Sequence, residues 1–178
     1  MKYVALLRGI NVGGNNSISM AKLKECFDSL GFKDVKTYIN TGNVIFSSTK
    51  SETSLVHAIE KCIQDNFGLN VPVVIRTKDH IEKVVEDIPK EWVNDTDMRT
   101  DVLFLWDEVD YPTILDEIQV NPDVDHLIYT KGAVIWNYDR INYSKTKLRN
   151  FIGTRVYKLM TARNVNTVRK IRDLMQTE

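Results

Sequence analysis

The residues best suited to chemistry stand at the start of the chain, in Arg8-Gly-Ile-Asn-Val-Gly-Gly-Asn-Asn16. Arg8 ends an apolar run from Tyr3, so its guanidinium is expected at the mouth of a buried strand. Gly13 and Gly14 permit the positive φ and close backbone approach that a ligand-cradling loop needs. Asn11 and Asn15 tolerate the same region of φ/ψ space and carry amide donors and acceptors. The chemistry such a set supports is recognition of an anion, with charge from arginine, directional hydrogen bonds from asparagine and access from the glycine backbone. It is not a P-loop, because Gly9-Ile-Asn-Val-Gly-Gly14 is followed by Asn15-Asn16 where lysine and a hydroxyl residue would be required. The GxGxxG spacing of dinucleotide sites is missing as well, so no cofactor is expected.

Two further segments carry the same residue types. Tyr38-Ile-Asn-Thr-Gly-Asn43 lies at a predicted hairpin, and Arg163-Asn-Val-Asn-Thr167 lies near the end of the chain. Tyr38 is the best isolated candidate for a proton donor, although a half-buried strand tyrosine with a satisfied hydroxyl is the preferred reading. Metal and nucleophilic chemistry are poorly supported. His57, His80 and His126 are scattered outside any metal-binding frame, and no GxSxG elbow occurs. Cys26 and Cys62, each beside the apolar stripe of a predicted helix, read as buried core thiols and not as a disulfide framework.

These three segments together resemble the uncharacterised bacterial family of domain-of-unknown-function proteins numbered 1697, and the resemblance spans nearly the whole chain. Val165 stands where the family's last motif usually has Trp, and Thr41 where its middle motif usually has Ser. The resemblance implies a mixed α/β fold and a shared surface, with no established activity attached.

The elements that must position these residues follow from periodicity. Strand Lys2–Leu7 leads to a helix capped by Ser17 or Ser19, with Met20, Leu23, Phe27 and Leu30 on one face and Gly31 as its stop. Val35–Thr41 and Asn43–Ser47 read as a hairpin around Gly42. A second helix carries Leu55, Ile59, Cys62, Ile63 and Phe67, and a strand follows at Val71–Arg76. The order βαββαβ is that of a ferredoxin-like fold.

A third helix with Ile81, Val84, Val85 and Ile88 ends at Pro89, and the pattern then repeats. Gly42-Asn-Val-Ile-Phe46 returns as Gly132-Ala-Val-Ile-Trp136, each word after a strand and a predicted helix, which points to an internal duplication. Two ferredoxin-like α+β halves, 1–77 and 78–178, packed as one compact protein, are the expected architecture. Ser144 is expected to cap a helix with Leu148, Phe151 and Ile152, and Asn166 or Thr167 to cap the last helix.

Charge is unevenly distributed although the total is zero. Fifteen acids against three bases fall between Asp79 and Asp125, whereas Arg140 to Arg172 holds ten bases and no acid. Lys145 and Lys147 at one predicted helix start and Arg163 at another oppose the helix dipole. Either an anionic ligand or acids of the middle segment should compensate them. No run reaches the roughly 18 apolar residues of a membrane helix, and the first strand is too short for a signal segment, so a cytoplasmic protein without a membrane partner is expected.

The functional expectation is a face that binds a phosphate-bearing small molecule or a short nucleic acid. It is built from Arg8, Asn11, Gly13, Gly14, Asn15, Tyr38, Gly42, Asn43, Arg163, Asn164, Asn166 and Thr167. The alternatives are a transferase or hydrolase with Arg8 and Arg163 stabilising an oxyanion, and a protein-interaction module without a small ligand.

Overall fold

A computed structural model describes residues 1–177. The chain divides into a first unit, Met1–Ile81 with the terminal stretch from Ile171, and a second unit, Glu82–Lys170. In the first unit, β1 (Lys2–Leu7), β2 (Lys33–Tyr38), β3 (Asn43–Ser47) and β4 (Val73–Thr77) form an antiparallel sheet in the order β2-β3-β1-β4. Helices α1 (Met20–Ser29) and α2 (Glu52–Phe67) fill the two crossovers. This is the ferredoxin-like topology expected from the sequence.

Local chemistry accounts for the helix ends. Ser19 Oγ accepts from Lys22 N at 3.4 Å to start α1, and Ser51 Oγ accepts from Ser54 N at 3.4 Å to start α2. Gly68, at φ 66°, closes α2 with a left-handed cap. Leu23, Cys26 and Phe27 of α1 and Leu55, Ile59 and Ile63 of α2 bury one stripe each on Tyr3, Ala5, Leu7, Val44 and Phe46. The stripes bring Cys26 and Cys62 to a Cα separation of 6.3 Å, and the two are joined as a disulfide. This corrects the expectation of two free thiols: spacing along the chain carried no pairing signal, because the pairing arises from one helix lying beside the other.

The second unit repeats the topology with strands β5 (Met98–Leu105), β6 (His126–Thr130), β7 (Ala133–Asp139) and β8 (Met160–Asn164), in the order β6-β7-β5-β8. The repeat extends to register. Leu6 pairs with Asn43 and Phe104 with Ala133; Leu7 N donates to Gly42 O and Leu105 N to Gly132 O, both at 2.9 Å. Val4 faces Arg76 across β1 and β4, as Val102 faces Arg163 across β5 and β8. The short internal echo at residues 42–46 and 132–136 is therefore an equivalence of strand positions.

After the fourth strand of each repeat a helix begins at once: α3 (Lys78–Asp87) follows Thr77, and α5 (Val165–Gln176) follows Asn164. Thr77 Oγ1 accepts from His80 N at 3.2 Å and Asn164 Oδ1 from Thr167 N at 2.9 Å. The cap of the last helix is thus Asn164, where Asn166 or Thr167 was expected, because the preceding strand runs into the helix without a loop.

The repeats differ in their crossovers. In place of α1 the second unit has only 3-10 turns, at Asp107–Val109 and Pro112–Glu117. In place of the sixteen-residue α2 it has 3-10 turns at Arg140–Asn142 and Tyr157–Leu159, with one helical turn, α4 (Leu148–Phe151), between them. Its core gathers Leu103, Leu105, Val134, Trp136, Tyr138, Leu148, Phe151 and Met160. Among the described residues no helix is long and apolar enough to cross a membrane.

The edge strand β2 is irregular. Its register with β3 shifts between Lys33 and Lys36, with Asp34 at φ 54°. It also ends at Tyr38, three residues before the expected Thr41, because Ile39 turns the chain at φ 48°. Gly42 completes that turn at φ 85°, and a Cβ there would stand 2.7 Å from Leu7 Cβ and 2.9 Å from Ile10 Cδ1. Gly42→Ala combines overpacking with left-handed strain and should cost about 2–4 kcal/mol. Gly31→Ala, at φ 79° but in open space, should cost about 1–2 kcal/mol. Urea unfolding of the two variants measures the difference.

Candidate functional site

In the first unit the Gly/Asn loop is largely self-supporting. Asn11 Nδ2 donates to Ile18 O at 3.0 Å and to Asn40 O at 2.8 Å, while its Oδ1 accepts from Ile18 N at 2.8 Å. Asn16 Nδ2 donates to Gly9 O at 3.0 Å, and Asn15 N to Val12 O at 3.0 Å. Asn43 is buried and donates to Tyr38 O and Thr41 Oγ1, both at 3.0 Å. Tyr38, half-buried, ends β2 opposite Asn43. Arg8 is half-buried beyond β1, with its N–H on Pro72 O at 3.0 Å. Gly13, Gly14 and Asn15 are exposed, and a shallow depression of about 430 Å³ lies against Asn11, Gly14, Asn15, Ser17, Met20 and Asn40. The first two Gly/Asn words thus meet in space, with most of their amide groups engaged in holding the loops to each other.

The last word lies in the second unit and is also built into the fold. Arg163 sits within β8, buried, and its Nη1 donates to Ala162 O at 2.8 Å and to Thr161 Oγ1 at 3.1 Å. Burial lowers its pKa to about 10, against a raising influence of Tyr157. Arg76, its register equivalent, makes the matching bond from Nη1 to Ile75 O at 2.9 Å. A buried arginine lying along the fourth strand is thus a feature of both repeats. Asn166 Nδ2 donates to Asn94 O at 2.8 Å, and Thr167 is buried.

A second concavity gathers two of the expected site residues, Arg163 and Asn164, with residues that the sequence did not single out for a site. In the first unit α2 packs along β4; over β8 the cover is one helical turn, and a cavity of about 360 Å³ opens there. Leu103, Ala162, Leu148, Ile152 and Tyr157 supply apolar lining, and Asn94, Arg99, Asp101, Arg140, Asn164 and the buried Arg163 supply polar lining. Arg99 Nε donates to Asp101 Oδ2 at 2.8 Å. Burial pushes the Asp101 carboxyl above its ordinary range, opposed by Arg99 and Arg140. Burial lowers Arg99 too, but Asp101 and the Tyr138 hydroxyl outweigh it and leave its pKa raised. Arg140 donates from Nε to Asp95 O at 2.7 Å and from Nη2 to Asn94 Oδ1 at 3.0 Å. Three guanidinium groups, of Arg99, Arg140 and the buried Arg163, beside an apolar floor can seat an anion that also carries an apolar part. The helix expected from a Ser144 cap through Leu148, Phe151 and Ile152 is here the single turn α4.

The segment that walls this cavity is fixed by one carboxylate. Asp125 Oδ1 accepts from Trp136 Nε1 at 3.0 Å and from Thr146 Oγ1; its Oδ2 accepts from Asn121 N at 2.8 Å and Lys147 N at 3.0 Å. Burial would raise the pKa of Asp125, but Thr146, the two backbone N–H groups and Trp136 hold it low. Ser144 does not cap α4; Lys147 occupies the cap position, and the nearby N–H groups bond to Asp125 and Thr146. At this helix start an acid of the middle segment, Asp125, thus meets the backbone N–H of Lys147, while the Lys145 and Lys147 ammonium groups form no salt bridge among the described residues.

The fold and site define an α+β protein of two ferredoxin-like repeats, the second of which opens an arginine-lined cavity. Residues 1–136 match the family described as Protein of unknown function (DUF1697), and the chain belongs to that family. It is similar to the solved structure of the conserved bacterial protein SP0830 from Streptococcus pneumoniae, with 29% identity, a TM-score of 0.85 and 98% of each chain covered. No curated protein matches the chain.

Asp125→Ala leaves Trp136 Nε1 and two backbone N–H groups without their acceptor and should destabilise the protein by about 3 kcal/mol. Faster amide exchange over residues 145–151 is expected, with little change in β1–β4. A folded Asp125, depressed below its unfolded value, stabilises above the unfolded pKa and loses this contribution as pH falls through the folded one. The acid limb of a stability–pH curve should therefore flatten in Asp125→Asn.

Proposed function

We propose that the protein binds a phosphate-bearing ligand of nucleotide size, with its main site in the cavity over β5 and β8. The observation that carries this reading is the withdrawal of helix cover from that face, at the place where Arg99 and Arg140 converge on an apolar floor. Arginine supports the reading because its planar fork matches phosphate oxygens. The floor of Leu103, Ala162 and Ile152, with Tyr157 beside it, suits a base or another planar group, as mixed apolar and polar pockets do. Asn94 and Asn164 add directional partners at the rim. The Gly13, Gly14 and Asn15 surface of the first unit offers backbone N–H groups and no comparable cavity charge. A transferase or hydrolase with Arg8 and Arg163 as oxyanion donors has less support, since Arg163 is buried whereas Arg140 is exposed and Arg99 half-buried.

Thermal unfolding with inorganic phosphate, AMP and UMP tests the reading. A ligand at about 100 times its Kd contributes about 2.7 kcal/mol, which for a chain of this size raises the Tm by several degrees. Arg140→Ala and Arg99→Ala should each remove most of that rise. No stabilisation by any of the three, or stabilisation kept in both variants, would overturn the reading.

Asp101 makes the same site pH-dependent. When ionised it holds Arg99 in an ion pair and repels an incoming anion; when protonated it releases the guanidinium. Its carboxyl titrates above the ordinary range, so anion affinity should rise as pH falls through that raised pKa. Sulfate, whose charge is constant in this range, is the suitable probe. Asp101→Asn should bind it more tightly at neutral pH and with a flat pH profile, measured by calorimetry.

A further inference from the structure

The crossover 140–159, besides walling the cavity, presents an outer surface of unusual composition. Ile141 is 90% exposed, Tyr143 51% and Ile152 45%, so three of six exposed large hydrophobic side chains fall in this one stretch. Lys145, Arg149, Arg155 and Lys158 are exposed among them, and Lys147 is half-buried. Among the described residues none of these five bases forms a salt bridge. No acid occurs between Arg140 and Lys158. The Arg149 guanidinium lies 5.1 Å from the centroid of the Tyr143 ring. The backbone beneath is pinned: Lys147 N bonds to Asp125, Lys145 N to Asn142 O at 2.8 Å, and Lys145 O accepts from Asn121 Nδ2 at 3.2 Å.

Unpaired bases on a fixed backbone attract a polyanion. Exposed aromatic and aliphatic side chains between them favour a polyanion that also offers apolar faces. Single-stranded nucleic acid has both, since its bases are unstacked and its phosphates recur along the strand. A duplex hides the base faces, and a sulfated polysaccharide has no planar aromatic one. We infer that the outer surface of residues 140–158 is a docking surface for single-stranded nucleic acid. Bases stack on Tyr143 and rest on Ile141 and Ile152, while the backbone phosphates meet Lys145, Arg149, Arg155 and Lys158. The inference shares its phosphate chemistry and Ile152 with the cavity reading but uses other charged and aromatic side chains, so either can fail alone.

Fluorescence anisotropy of a labelled oligo(dU), titrated with the full chain across a salt series, tests it. Saturable binding is expected, with log K falling against log salt at about −0.7 per phosphate neutralised, near −3 for four bases. Lys145→Glu with Arg149→Glu should weaken binding at least ten-fold. Tyr143→Ala, at an exposed position, should weaken it several-fold to a hundred-fold with an unchanged melting curve. Arg99→Ala should leave oligonucleotide affinity within about two-fold while losing any mononucleotide effect. A duplex should bind more weakly than its separated strand. The inference is overturned by absence of binding, by Tyr143→Ala binding as the parent does, or by equal affinity for duplex and single strand. Sedimentation with phosphatidylserine vesicles in the absence of oligonucleotide binding would also overturn it and assign the patch to a membrane surface.

Discussion

The second repeat depends on a single buried carboxylate. Asp125 takes donors from the core indole of Trp136, from the Thr146 hydroxyl and from the N–H groups of Asn121 and Lys147. In the first unit each crossover is held by the apolar stripe of a helix, as α2 is by Leu55, Ile59 and Ile63. Here the carboxylate holds it instead, with Leu148 and Phe151 as the only two buried side chains of α4. Hydrogen bonds to a charged acceptor are directional and short in reach. They can fix a segment at one end and leave the sheet beyond it uncovered, which is the condition for the cavity over β8.

The repeat makes it possible to separate scaffold from site without an alignment. Positions that recur in register, such as Gly42 with Gly132 and Arg76 with Arg163, serve the architecture common to both halves. Positions that break the equivalence are where the halves have diverged in use. Asp101 stands in the register of Tyr3, and Arg99 in that of Met1, so the charged pair lining the cavity has no counterpart in the first half. Arg163, conspicuous in the sequence, recurs in register as Arg76 and also lines the cavity; Arg99 and Asp101, inconspicuous within an acidic stretch, belong to the second class.

This explains which features could be read from the sequence. The sheet order, both hairpins and the helix stripes follow from local periodicity and from glycines at turns, and the ninety-residue echo pointed correctly to the repeat. Long-range features were hidden. The bond between Cys26 and Cys62 depends on two helices lying side by side, and the role of Asp125 depends on four groups that meet only after folding. The stretch after Asp139 carries enough apolar residues, at Leu148, Phe151 and Ile152, to suggest an ordinary helix. Ile152 is exposed, however, and the expected Ser144 cap has no helix to start.

The irregular edge of the first sheet bears on how the molecule behaves in a crowded solution. A straight outer strand offers a ladder of N–H and C=O groups on which a neighbouring chain can grow, the route to ordered aggregates. β2 is a poor template for such growth: the register shift and the left-handed Asp34 break the ladder, and the exposed Lys33 and Lys36 place charge where a foreign strand would have to lie. A protein with no net charge lacks the general repulsion that keeps many chains apart. In this one, protection against lateral fusion is local, set by the conformation of one residue and two ammonium groups.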